Sequence, residues 1–372
     1  MIDVKELRQR MLSLDPVMLV MTLALMLMGI FFVYSAGYEH DDLPIHGLYK
    51  QQIKWTIIGL TVYLAVAFID YELIGNWGAW IYTGSLLLLV AVLLVGTEIG
   101  GAQRWLNVGI KIQPAEFAKV GLLIFLAVYL SGPGRSLEDF PYVLAALIIC
   151  AVPFFLIARQ PDLGTAIVLL PITFGIMYVG KIPYRYLFLL LILGVLSLPL
   201  GWQFLEPYQQ ARILNFMNPE TNSLAGNWSR QQSMMAVGSG GIMGKGFLQG
   251  TQGILGFLPL TVAPTDFIYS VIAEETGFLG TVVIFSLYIL LFAAIVRAAI
   301  HARDRLGRFI AVGVLVMLFT HVTVNVAMTI GLLPITGLPL PLLSYGGSFT
   351  LSTMIALGLV QSVHIRRIRR SL

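Results

Sequence analysis

Three short segments of this sequence set a carboxylate where a helix could begin. They are Gln113-Pro114-Ala115-Glu116-Phe117-Ala118-Lys119, Gln160-Pro161-Asp162-Leu163-Gly164-Thr165 and Pro264-Thr265-Asp266-Phe267. Proline suits a first helical turn, and an acidic side chain suits the positive end of the helix. Glu116 and Lys119, three apart, share one helical face. For each segment alone, helix capping by Asp162, Thr265 or Asp266 is the plainest role. Taken together with Arg104, Lys111, Arg212 and Lys245, the three segments suggest more. Carboxylates can take a proton from a hydroxyl, and cations can hold a phosphate. A substrate with an anionic head and a lipid tail would suit such a set.

The elements that must position these residues are membrane helices. Hydrophobic residues make up 58% of the 372 positions, and only 11% are charged. A soluble domain has about 25% charged residues. Mean hydropathy is +0.85. A net charge of +4 over such a chain makes no basic stripe, which argues against nucleic-acid binding. The one cysteine, Cys150, lies in an apolar run and excludes a disulfide framework. The first apolar stretch lacks a small-residue cleavage site and reads as a span, with no secretory signal.

Charge-free stretches cover Val17–Ala36, Trp55–Ile69, Leu73–Thr97, Val120–Gly134, Phe140–Ala158, Leu163–Gly180, Tyr186–Leu205 and Thr276–Val296. Phe309–Ile365 is too long for one helix and is divided by the turn-rich Leu333–Pro341. A span needs about 20 apolar residues. The expectation is an all-α polytopic protein, a single domain of ten transmembrane helices with both termini cytoplasmic. The positive-inside rule supports that orientation, most strongly through the Arg297–Arg308 loop and the Arg366–Arg370 tail, with Lys5, Arg8 and Arg10 on the same side. Trp77, Trp80 and Trp105 read as interfacial anchors.

Between the seventh and eighth spans lies a long extracytoplasmic loop, about 203–266, far above ordinary connection lengths. Its Gly-rich piece, Val237–Gly246, lacks P-loop spacing. If a continuous eighth helix begins near Asp266 and turns apolar at Thr276, Asp266 stands roughly 15 Å above the hydrocarbon edge. His321 and Asn325, four apart on the ninth helix, suit interhelical hydrogen bonds. Five scattered histidines offer no metal spacing, and Ser344 has no nearby histidine base. No internal repeat is evident, which weakens an inverted-repeat transporter.

These motifs resemble the SEDS family (shape, elongation, division and sporulation). The likeness is carried by Gly101–Leu106, Gln113–Lys119, Gln160–Thr165, Tyr208–Ile213, Val237–Gly246, Thr265–Phe267, Ala273–Gly277 and Leu338–Ser348, in order along almost the whole chain. The resemblance implies a peptidoglycan glycosyltransferase that polymerises lipid II on the outer face of the bacterial cytoplasmic membrane. It also implies a class B penicillin-binding protein and other elongation-complex membrane proteins as partners. The family's essential aspartate falls on Asp266, and its ionisable cavity residues on Arg104, Glu116, Lys119 and Asp162. Glu275, in the matching Ala273–Gly277 segment, is expected among the substrate-binding residues with Arg212 and Lys245. The short N-terminal segment and compact length fit the elongation members. One departure stands out. Leu258-Pro259 is followed by Leu260–Pro264, without the family's acidic residue and histidine and with two extra positions, and Gly256 replaces another acidic residue.

The expected mechanism is inverting glycosyl transfer. Asp266 accepts the proton of the acceptor 4-hydroxyl, and Arg104, Lys119, Arg212 and Lys245 meet the charge growing on the pyrophosphate. A divalent cation (Mg or Mn) could share that work, held by one or two carboxylates and substrate phosphates. The rival readings are a lipid II flippase and a scaffold for the transpeptidase.

Overall fold

The computed structural model describes residues 13–38, 44–99, 102–107, 109, 111–135, 138–203, 205–217 and 224–367. Lys5, Arg8, Arg10, Gly101, Arg369 and Arg370 of the sequence reading lie outside them. Helices α1 (Pro16–Gly37), α2 (Leu48–Phe68), α3 (Tyr71–Asn76) and α4 (Gly78–Val95) lead into a three-stranded antiparallel sheet. Its strands are β1 (Thr97–Ile99), β2 (Ala102–Asn107) and β3 (Lys111–Ile112). Then come α5 (Pro114–Ser131), α6 (Phe140–Ala158), α7 (Leu163–Val179) and α8 (Tyr184–Trp202). The long connection after α8 contains α9 (Pro207–Met217), α10 (Leu224–Ser239) and α11 (Thr251–Ile254). The chain closes with α12 (Ile268–Ile300), α13 (Arg305–Thr329) and α14 (Gly347–Ile365).

The apolar stretches of the sequence fall on the long helices, with Leu73–Thr97 beginning in the short α3 and Phe309–Ile365 divided between α13 and α14. Seven helices are long and apolar enough to cross a membrane, α7 and the apolar part of α8 are shorter apolar helices, and α2 carries Lys50 and Lys54. Burial sorts them. α5 and α14 are 72% and 83% buried along their most apolar windows, against 28% for α4 and α6, so they form the centre of the bundle. The outer helices expose Leu87, Leu94, Phe155, Phe188 and Leu191, as a lipid-facing surface would. Small residues let backbones meet. A Cβ on Gly358 of α14 would sit 2.8 Å from the Tyr63 carbonyl of α2, and one on Gly29 of α1 would sit 2.7 Å from that of Leu342.

The largest departure from expectation is in α12. Gly277 is non-helical (φ 66°, ψ −161°), so Ile268–Thr276 forms a separate short arm. Ile268 to Glu275 is buried throughout. A broken helix leaves carbonyls on one side and N–H groups on the other without partners. The Gly-rich segment supplies both. Lys245 and Gly246 N–H donate to the Glu274 and Glu275 carbonyls at 3.0 Å, while Phe278 and Leu279 N–H donate to Gly241 and Ile242 at 2.8 and 3.1 Å. A Cβ on Gly244 would lie 2.1 Å from the Glu275 carbonyl, so this contact requires glycine. The motif that failed as a P-loop is the splint of a broken helix.

The break corrects two expectations. The N-cap of α12 is Phe267, without a side-chain capping bond, and neither Thr265 nor Asp266 caps it. Nor does Asp266 stand clear of the bundle. Its backbone carbonyl accepts from Asn325 of α13, four residues before that helix ends at Thr329. At 1.5 Å per residue this is about 6 Å inside the helix end. The 15 Å height assumed a continuous helix, and the chain bends at Gly277 instead.

Candidate active site

Asp266 is presented by a tight turn whose backbone is held on both sides. Its own N–H donates to the Val262 carbonyl at 2.9 Å. Ser344 Oγ donates to the Thr265 carbonyl at 2.5 Å and accepts from Leu340 N–H at 2.8 Å. Tyr345 N–H donates to the Pro264 carbonyl at 2.9 Å. Asn325 Nδ2 donates to the carbonyls of Asp266 at 2.9 Å and Leu338 at 2.7 Å. Asn325 and Ser344 are buried, so these bonds are shielded from water competition. Three successive carbonyls are thereby fixed, and the carboxylate is left to face a cavity.

That cavity, about 220 Å³, is lined by Arg212, Asn215 and Phe216 of α9, and by Asn227, Ser229 and Arg230 of α10. Val262, Asp266, Phe267, Pro334 and Ile335 complete it. Burial raises the Asp266 carboxyl from 3.8 to about 6, against the opposing pull of Thr265, Arg212 and Arg104. Such a group is ionised at neutral pH yet basic enough to accept a proton. Arg212 Nη1 donates to the Ile335 carbonyl at 3.2 Å.

The other expected site residues fall into three groups. Asp162 and Arg104 border Asp266 electrostatically. Asp162 caps α7 through Thr165 N–H at 3.2 Å, as expected, and also accepts from Gln113 Nε2 at 3.0 Å. Arg104, on β2, donates to the Pro161 carbonyl and lies 3.8 Å from Asp162. Glu116 and Lys119 pair at 2.8 Å, both buried, with Lys119 Nζ also 2.8 Å from His321 Nε2. His321 thus makes the expected interhelical contact, to Lys119 of α5, whereas Asn325 donates to loop carbonyls and not to a neighbouring helix. Lys245 lies instead at the splint, where its Nζ donates to Glu274 at 2.6 Å and to Thr251 at 2.7 Å. Glu275 accepts from Ser35 of α1, and its other oxygen is buried without a partner. Of the expected site residues only Asp266 and Arg212 line the cavity; Arg104, Glu116, Lys119, Asp162, Lys245 and Glu275 do not.

Arg230, Asn215 and Asn227 were missed by the sequence reading. They sit in the long connection that the sequence reading took as a loop, and only the presence of a second arginine there hinted at Arg230. Among the described residues, no three His, Cys, Asp or Glu side chains converge as a metal cage.

Comparison with known proteins agrees with this architecture. Residues 16–368 match the FtsW, RodA and SpoVE family, described as cell cycle protein. The chain is 35% identical to the peptidoglycan glycosyltransferase RodA of Treponema pallidum, over 95% of this chain and 98% of that one. It is 36% identical to the peptidoglycan glycosyltransferase MrdB of Escherichia coli K12, over 95% and 94%. A chain from a peptidoglycan synthase complex that coordinates polymerization and crosslinking superposes with a TM-score of 0.80 at 32% identity, covering 95% of this chain and 98% of that one. The rod shape determining protein RodA of Thermus thermophilus gives 0.71 at 30% identity, covering 96% and 98%. A match of this extent, on a polytopic helical bundle, makes the chain a member of the FtsW, RodA and SpoVE family of SEDS proteins.

Proposed function

We propose that this chain is a peptidoglycan glycosyltransferase that polymerises lipid II into glycan strands during cell elongation and shape maintenance. It would cross the bacterial cytoplasmic membrane ten times with both termini inside, so that the Asp266 cavity opens on the outer face. A class B penicillin-binding protein would crosslink the product, and other elongation-complex membrane proteins would assemble with the pair.

One observation carries the reading: a carboxylate with its proton affinity raised to about 6, held on a braced turn at a cavity that also holds arginines. The acceptor 4-hydroxyl attacks the donor anomeric carbon from the face opposite the leaving group. The C–O bond to the lipid pyrophosphate breaks as the new glycosidic bond forms. Asp266 takes the hydroxyl proton, and the pyrophosphate leaves with the bonding electrons. Arg212 meets that negative charge, with Arg104 behind it. Asp162 orients Arg104, and Glu116 with Lys119 stiffens the bundle at α5. Lys245 and Glu275 contribute through the splint that carries the buried arm next to Asp266. A divalent cation (Mg or Mn), held by one or two carboxylates and by substrate phosphates, would add positive charge for the leaving pyrophosphate and leave the proton transfer to Asp266.

The test is polymerisation of purified lipid II by the chain together with its transpeptidase partner, read as glycan strands on a gel. Wild type should make polymer, and Asp266→Asn, folded by thermal melt, should not. Polymer from both would remove Asp266 as the base. No polymer from wild type with a competent partner would favour a flippase or scaffold.

A further inference from the structure

We infer that Arg230 is a second pyrophosphate-binding residue of the cavity, working in series with Arg212. The inference rests on the glycosyltransferase reading and names a subsite within it. Three residues of the cavity are aligned by one strap of chain, Gly331 to Leu338. Arg230 Nη2 donates to the Gly331 carbonyl at 2.8 Å. Arg212 Nη1 donates to the Ile335 carbonyl at 3.2 Å. A Cβ on Gly337 would stand 3.4 Å from Asp266 Oδ2. The order along the strap is therefore Arg230, Arg212, Asp266. An extended chain advances at most about 3.3–3.6 Å per residue, so the two guanidinium anchor points lie no more than about 14 Å apart. That is a span two linked phosphates and their ligating side chains can bridge.

The Arg230 guanidinium is preorganised. It stacks 4.8 Å from the centre of the Phe216 ring, and Nη1 donates to the Phe216 carbonyl at 3.4 Å. Among the described residues no carboxylate pairs it, and its buried Nε finds no acceptor. The contrast is with Arg297, Arg303 and Arg366, each paired to a carboxylate at Asp15, Glu72 and Asp70. An arginine whose charge is offset only by carbonyl dipoles keeps an attraction for an anion. Its neighbours on the cavity wall, Asn215, Asn227 and Ser229, add polar groups without negative charge. The simpler alternative is that Arg230 caps the end of α13, since Gly331 follows Thr329 closely.

The two roles separate in a binding measurement. Purified full-length protein in detergent is titrated with a radiolabelled polyprenyl pyrophosphate, and with the monophosphate of the same lipid as control. Arg230→Gln should weaken pyrophosphate binding about tenfold or more, the scale of a lost charge-assisted hydrogen bond, and weaken the monophosphate less. Arg230→Lys should recover part of the loss. Asp266→Asn should bind the pyrophosphate like wild type while making no glycan. Unchanged pyrophosphate affinity in Arg230→Gln, whatever its melting temperature, overturns the inference and leaves a helix cap. Equal losses for both lipids and no rescue by lysine overturn it as well. Failure of wild type to polymerise is a separate result that strikes the glycosyltransferase reading, because binding is read without turnover.

Discussion

Glu116 and Asp266 look alike in the sequence, each an acid after a proline, yet the fold gives them opposite surroundings. Glu116 is buried against an ammonium, with Lys119 at 2.8 Å and Ser352 donating at 3.3 Å. Asp266 has cations in its field, but its largest influence is loss of water, and its proton affinity rises. A neutralised pair stiffens a helix bundle, whereas a carboxylate with raised proton affinity facing a cavity can exchange a proton with a ligand. The position of the cation, bonded in one case and set back in the other, decides between wall and reagent.

The contrast can be broken at either end. The largest effect expected is on turnover: Asp266→Asn should lower polymerisation by about 10²–10⁴-fold with little change in melting temperature. Lys119→Met should do the reverse in kind. Leaving Glu116 buried without its partner should cost about 3–5 kcal/mol, read by unfolding in detergent, and adding Glu116→Gln should return part of it. A smaller loss is expected from the brace. Asn325→Ala should lower kcat about tenfold with little change in KM for lipid II, because it frees the Asp266 backbone without touching substrate. The pH profile sharpens the comparison last. A base must be deprotonated, so activity should rise with pH through about 6 and level off above it. Since Arg212 lowers that value, Arg212→Gln should shift the inflection upward, and an unshifted profile would detach the pH dependence from Asp266.

Much of this was legible before any coordinates. The apolar stretches marked the helices because lipid-facing and core residues are both apolar in a membrane. The three-residue spacing of Glu116 and Lys119 foretold their contact, and Asp162 before Leu163 foretold a cap. The broken α12 was not legible. Glu275 was expected to bind substrate, since a sequence does not distinguish a polar residue facing a ligand from one satisfied inside protein. Lys245 was grouped with the phosphate-facing cations because nothing local reveals Glu274, 29 positions on, as its partner. Arg230 was missed for the same reason: its anchor, Gly331, is 101 positions away.

The splint at Gly277 also bears on how the chain is made. A buried arm whose backbone is cut at one end cannot enter a bilayer alone, because its freed carbonyls and N–H groups would face hydrocarbon. Its partners, Gly241 to Gly246, precede it in the chain. Synthesis from the N-terminus therefore delivers the receptor for the arm before the arm itself emerges. A circularly permuted chain opened after Gly246, which places Val237–Gly246 after α14, would lose that order and expose an unsatisfied backbone during insertion.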